Sequence, residues 1–114
     1  MNMITAAIIL FAVGALVGIY LITFVIQRRE TPKFFVFTHG VLVVSGLVLL
    51  IFHMMKTGAD LTQVIILFGI AALAGIVLLL RDLGGKILPV WLALAHAVIA
   101  VTAFAYLLVY TYTR

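Results

Sequence analysis

Four apolar runs occupy nearly the whole of this sequence, at about residues 3–26, 34–55, 61–80 and 87–110. Each approaches or exceeds the roughly 20 residues that an α-helix needs to cross about 30 Å of hydrocarbon at 1.5 Å per residue. Runs this uniformly apolar can span only as helices, because a transmembrane barrel needs polar residues at alternate positions. The composition agrees: 68% of the 114 residues are hydrophobic and 9% charged, against roughly 45–50% apolar and 25% charged in soluble domains. The expected fold is all-α, a four-helix transmembrane bundle forming a single domain over residues 1–114. The first run lacks a basic leader and is too long for a signal-peptide core, so it is read as a span.

Charge placement sets the expected topology. Arg28, Arg29 and Lys33 lie between the first two runs, Arg81 and Lys86 between the last two, while the opposite side holds only Lys56 and Arg114. By the positive-inside rule the two basic loops face the cytoplasm and both termini face outward, as in a bacterial cytoplasmic membrane. The net charge of +4 is therefore a topology signal and no sign of nucleic-acid binding. Trp91, Tyr110 and Tyr112 fall where interfacial aromatic belts are expected. The chain has no cysteine, which excludes disulfides, cysteine-ligated iron–sulfur clusters and covalent haem attachment.

Shifting the sequence by 57 residues aligns IILFAVGALVGIYLI (8–22) with IILFGIAALAGIVLL (65–79), with nine of fifteen positions identical. Over the half-chain fifteen positions match, where this composition gives about five by chance, so the halves 1–57 and 58–114 read as tandem repeats. Each repeat contains two spans, so both copies enter the membrane in the same sense, related by a pseudo-twofold axis along its normal. Pro32 pairs with Pro89 and His39 with His96. The two histidines then lie at one depth, about 10 Å beyond their prolines. Gly14 and Gly18 on helix 1, aligned with Ala71 and Gly75 on helix 3, form small-xxx-small patches that permit close helix approach or leave room for a flat cofactor.

A histidine at membrane depth is costly. A neutral imidazole bonded to a hydroxyl such as that of Thr38, Ser45 or Thr102 would be purely structural, but two histidines at equivalent repeat positions ask for a shared purpose. Neutral imidazole is a standard axial ligand of haem iron. At the level of this site the chain resembles the membrane-bound b-type cytochromes, whose haems are clamped between histidines on paired transmembrane helices. The resemblance implies haem b ligated by His39 and His96, with electron transfer rather than catalysis, and quinone or a neighbouring redox subunit as partner. It extends in part to His53, which follows His39 by fourteen residues and returns to within about 40° of its helix face. The resemblance stops there, because Tyr110 occupies the position aligned with His53. The basic loop residues Arg28, Arg29, Lys33, Arg81 and Lys86 would stand near the haem propionates. Zinc or copper fits less well, since two histidines supply half of a four-coordinate site.

Other classes meet specific obstacles. The span count resembles that of the small multidrug exporters, but those need a carboxylate buried in the first helix, and none is present there. Glu30, Asp60 and Asp82 all fall at loops, with Asp82 beside Arg81 read as a solvated helix end. The main alternative is a cofactor-free accessory subunit, packed on a larger membrane complex or self-associated as a homo-oligomer. Helix spacing separates the two: ligation of a shared iron sets helices 2 and 4 about 13 Å apart at the histidines, against 8–10 Å for direct packing.

Overall fold

The computed structural model describes residues 2–113 and contains four α-helices: α1 (Met3–Ile26), α2 (Lys33–Thr57), α3 (Thr62–Leu83) and α4 (Val90–Tyr112). All four are long and apolar enough to cross a membrane, as in an integral membrane protein. Arg114, counted among the outward-facing charges, lies outside the described residues. The bundle measures 43 × 23 × 19 Å, enough along its length for the hydrocarbon layer and part of both interfaces. Trp91 and Tyr112 are largely exposed near opposite ends of α4, where amphipathic rings meet headgroups.

Helix boundaries follow from local chemistry. Pro32 and Pro89 are the N-caps of α2 and α4, with extended backbone and carbonyls that accept the first helical hydrogen bonds. A proline at this position forfeits no bond, since the N-cap N–H is outside the helical ladder. This is why the fourth helix begins at Val90 although the apolar run begins at Ile87. The C-termini of α1 and α3 share one device. Arg29 N–H donates to Phe24 O and Arg28 N–H to Val25 O, while Lys86 N–H donates to Arg81 O and Gly85 N–H to Asp82 O. These are the paired bonds of a Schellman cap, which needs a left-handed residue at its turn. Gly85 supplies it at φ 75°; at the aligned position Arg28 adopts φ 54°, a conformation that costs a residue with a Cβ about 1–2 kcal/mol.

In the packing, α1 lies along α2 and α3 along α4, and the hairpins join through α1–α4 and α2–α3 contacts. The bundle is therefore a square, with α1 facing α3 and α2 facing α4 on its diagonals. The apolar core is concentrated toward the termini: Ile4, Ala7 and Phe11 meet Leu61, Val64 and Phe68, with Leu50, Ala103 and Leu107 closing the sides. Phe11 and Phe68 stack across the α1–α3 diagonal at 4.0 Å with planes 3° apart. Gly46 on α2 admits the Phe11 ring, since a Cβ there would sit 3.1 Å from Cζ.

Leu50 and Leu107 are fully enclosed. In lipid the alternative to burial is also apolar, so the loss on truncation is mainly cavity and dispersion. Leu50→Ala and Leu107→Ala should each cost about 2 kcal/mol, the low end of the range for buried leucines, measured by reversible unfolding in mixed micelles. Values near zero would mean that this end of the bundle is loosely packed.

Candidate functional site

About 10 Å into the bundle from the end that carries the basic loops, α2 presents His39 and α4 presents His96. They lie across a diagonal: among the described residues, no Cα of α2 comes within 8 Å of one on α4. The side chains nevertheless meet, with ring centroids 6.2 Å apart and planes at 81°. Both rings are half-buried, and each is held the same way. His39 Nδ1–H donates to Gly14 O on α1 at 2.8 Å, and His96 Nδ1–H donates to Ala71 O on α3 at 2.7 Å. Those acceptors are backbone carbonyls, not the hydroxyls of Thr38, Ser45 or Thr102 expected from the sequence. The Thr38 and Thr102 hydroxyls instead donate within their own helices, to Phe34 O and Val98 O.

The small-xxx-small patches acquire a specific role from this geometry. A helix carbonyl at position i is overhung by the side chain at i+4. Gly18 is four residues past Gly14, and Gly75 four past Ala71. With no Cβ at 18 or 75, the imidazole can lie against the helix and reach the carbonyl. A Cβ at Gly18 would come within 3.0 Å of His39 Cε1, and one at Gly75 within 3.1 Å of His96 Cε1. The room expected beside these glycines for a flat cofactor is thus filled by the imidazoles themselves.

The bond to a carbonyl also fixes the tautomer. A carbonyl oxygen only accepts, so Nδ1 carries the proton and the neutral ring keeps its lone pair on Nε2. Backbone anchoring of Nδ1 is the arrangement that orients a metal-ligating histidine and raises its basicity. Two imidazoles on opposite sides of one metal, with ring nitrogens about 2.0–2.1 Å from it, would set their centroids about 6.4 Å apart in a straight line and about 5.2 Å apart at a tetrahedral angle; the observed 6.2 Å is near the first. Two such donors would leave the remaining positions of a metal to something other than protein. A four-coordinate protein site is not available, because no three His, Cys, Asp or Glu side chains are grouped to share a metal among the described residues.

His53 stands apart from this pair, fourteen residues or about 21 Å along α2, near Lys56 and the C-terminal end of the helix. It is half-buried, and its carbonyl accepts from Thr57 Oγ1 at 2.7 Å.

One group departs from the solvated position expected of it. Asp82 is only 9% exposed; its carboxylate accepts from Thr31 Oγ1 at 2.7 Å and from Lys33 Nζ at 3.0 Å. Thr31 is itself buried, so the end of α3 in one hairpin is tied to the α1–α2 loop of the other. Adjacency to Arg81 suggested solvent, but the partners lie 49 and 51 residues away. The readable signal was the alignment, which matches Asp82 to Val25, itself buried.

Compared with family models, with curated proteins and with solved structures, the chain matches none of them.

Proposed function

We propose that this protein is a small integral-membrane b-type cytochrome or cytochrome-like subunit, with a haem iron held by Nε2 of His39 and His96. The observation that carries the proposal is the pair of half-buried imidazoles 6.2 Å apart across the α2–α4 diagonal, each with Nδ1 committed to a backbone carbonyl. A bound haem would supply one-electron transfer. The protein's part is to fix both tautomers through Gly14 O and Ala71 O, to hold the rings on Gly18 and Gly75, and to keep water from the pair. Quinone or an adjoining redox subunit is the partner such chemistry requires, and His53 is a secondary candidate at the far end of α2.

The same proposal takes the chain as one transmembrane domain of two tandem hairpins, 1–57 and 58–114. Support comes from aligned residues that meet their own counterparts, Phe11 with Phe68 and His39 with His96, as a pseudo-twofold axis along the membrane normal demands. With the basic loops in the cytoplasm and the termini outside, the histidine pair lies nearer the cytoplasmic face.

The absorption spectrum of detergent-purified protein tests this. A Soret band should be present in the wild type and lost in His39→Ala and in His96→Ala. A cofactor-free structural subunit, alone or in a larger complex, is favoured by a different observation: the edge-to-face imidazoles already fill the space over Gly18 and Gly75. In that case the protein is colourless after expression with ample haem, and the two variants differ from wild type only in stability.

A further inference from the structure

The end of the bundle carrying the basic loops holds a cavity of about 320 Å³ that the histidine pair does not use. Residues 28–31 and Lys33 line it from one hairpin and residues 85–88 from the other, over a floor formed by the Thr31–Asp82–Lys33 cluster. Its cations are Arg28, Arg29, Lys33 and Lys86 and its anions Glu30 and Asp82. The floor is internally neutral, since Lys33 pairs with Asp82. Arg29 is engaged with the Phe24 ring and with Gln27 Oε1. Arg28 and Lys86 have no ion-pair or hydrogen-bond partner for their side chains among the described residues. Val25, Ile87 and Leu88 give the cavity an apolar wall.

Positive-inside topology accounts for basic residues in these loops but not for the backbone beneath one of them. Arg28 sits in the left-handed conformation at φ 54°, where the matching loop uses Gly85. Strain retained at a position that glycine would relieve points to use of the side chain. We propose that this cavity receives the phosphate of an anionic phospholipid headgroup, with Arg28 and Lys86 as its cationic partners. The apolar wall takes the glycerol end of the same lipid. The location suits a lipid, because a basic pocket between transmembrane helices at the level of the headgroups is open to lipid moving in the bilayer.

The test is native mass spectrometry of the full chain in detergent, with phosphatidylglycerol and phosphatidylcholine in equal amounts at fixed ionic strength. The wild type should retain phosphatidylglycerol over phosphatidylcholine, and Arg28→Gly and Lys86→Gln should each lower that preference about fivefold, the effect of one basic residue at an anionic membrane surface. Arg28→Gly places glycine where the second hairpin already has it, so it should fold with undiminished thermal stability. Arg81→Gln, which removes a charge outside the cavity, should leave the preference unchanged. Equal retention of the two lipids, or an equal loss in Arg81→Gln, would overturn the proposal in favour of diffuse surface charge. Displacement of phosphatidylglycerol by millimolar inorganic phosphate would overturn it in favour of a free anion. Absorbance of the same sample keeps the outcome separate from the haem proposal: lipid preference lowered in Arg28→Gly and Lys86→Gln with an unchanged visible spectrum supports the lipid site, whereas a parallel loss of a Soret band would assign these side chains to haem propionates and overturn it.

Discussion

Lys33→Met should destabilise the protein by about 3 kcal/mol, whereas Asp82→Asn, which removes the other half of the same ion pair, should cost about 1 kcal/mol. The asymmetry follows from where each charge is left. Asp82 is 9% exposed and Lys33 35%. Without the ammonium, the carboxylate keeps a single side-chain donor, Thr31 Oγ1, in a site largely closed to water, and an uncompensated buried charge typically costs 3–5 kcal/mol. Methionine preserves the length and apolar stem of lysine, so the loss reports charge and not packing. Without the carboxylate, the lysine reaches water, and an asparagine oxygen can still accept from Thr31; what goes is one charge-assisted bond in partly solvated surroundings. The double variant should recover about 2 kcal/mol of the Lys33→Met loss, leaving it about 1 kcal/mol below wild type, a coupling of about 3 kcal/mol at the upper end for residues in one polar cluster. Unfolding in mixed micelles measures all three. Equal losses in the two single variants would mean that the carboxylate is solvated after all.

The cluster also shows where the sequence stops being informative. Span number and approximate position were legible because hydrocarbon thickness sets a length that apolar runs either meet or miss. The shared depth of His39 and His96 was legible because the 57-residue offset fixes their register. Their mutual approach was not, since it depends on the rotation of α2 and α4 about their own axes, which packing of all four helices decides. Nor were their hydrogen-bond partners: a search for polar side chains overlooks backbone carbonyls, which become acceptors only where a glycine four residues on uncovers them. Gly18 and Gly75 were visible as small residues, and the histidines were visible as costly ones. Only the packing of α1 along α2 and of α3 along α4 joins the two observations. Asp82 was misplaced for a related reason, because its partners come from the other hairpin and local context gave no hint of them.

Gly14→Ala should destabilise the bundle by about 2 kcal/mol, and Val43→Ala in the same chain should remove most of that loss. A Cβ on residue 14 would lie 2.7 Å from Val43 Cγ1, with Leu42 Cβ 3.6 Å away and Val43 N 3.8 Å away. Such a contact must be relieved by movement. Valine in a helix has one strongly preferred rotamer, so Val43 cannot swing aside cheaply, and overpacking of this kind costs about 1–3 kcal/mol. The second hairpin contains the compensated version: Ala71 stands at the position of Gly14, and Ala100 at the position of Val43. One half thus pairs glycine with valine and the other alanine with alanine, at a place where α1 approaches α2 and α3 approaches α4. The double variant writes the second solution into the first hairpin while retaining the carbonyl at residue 14 that anchors His39. Its unfolding free energy should lie within about 1 kcal/mol of wild type, well above the sum of the single effects. If Gly14→Ala alone is neutral, α1 and α2 have slack at this level; if Val43→Ala fails to rescue it, residue 43 is not what limits their approach.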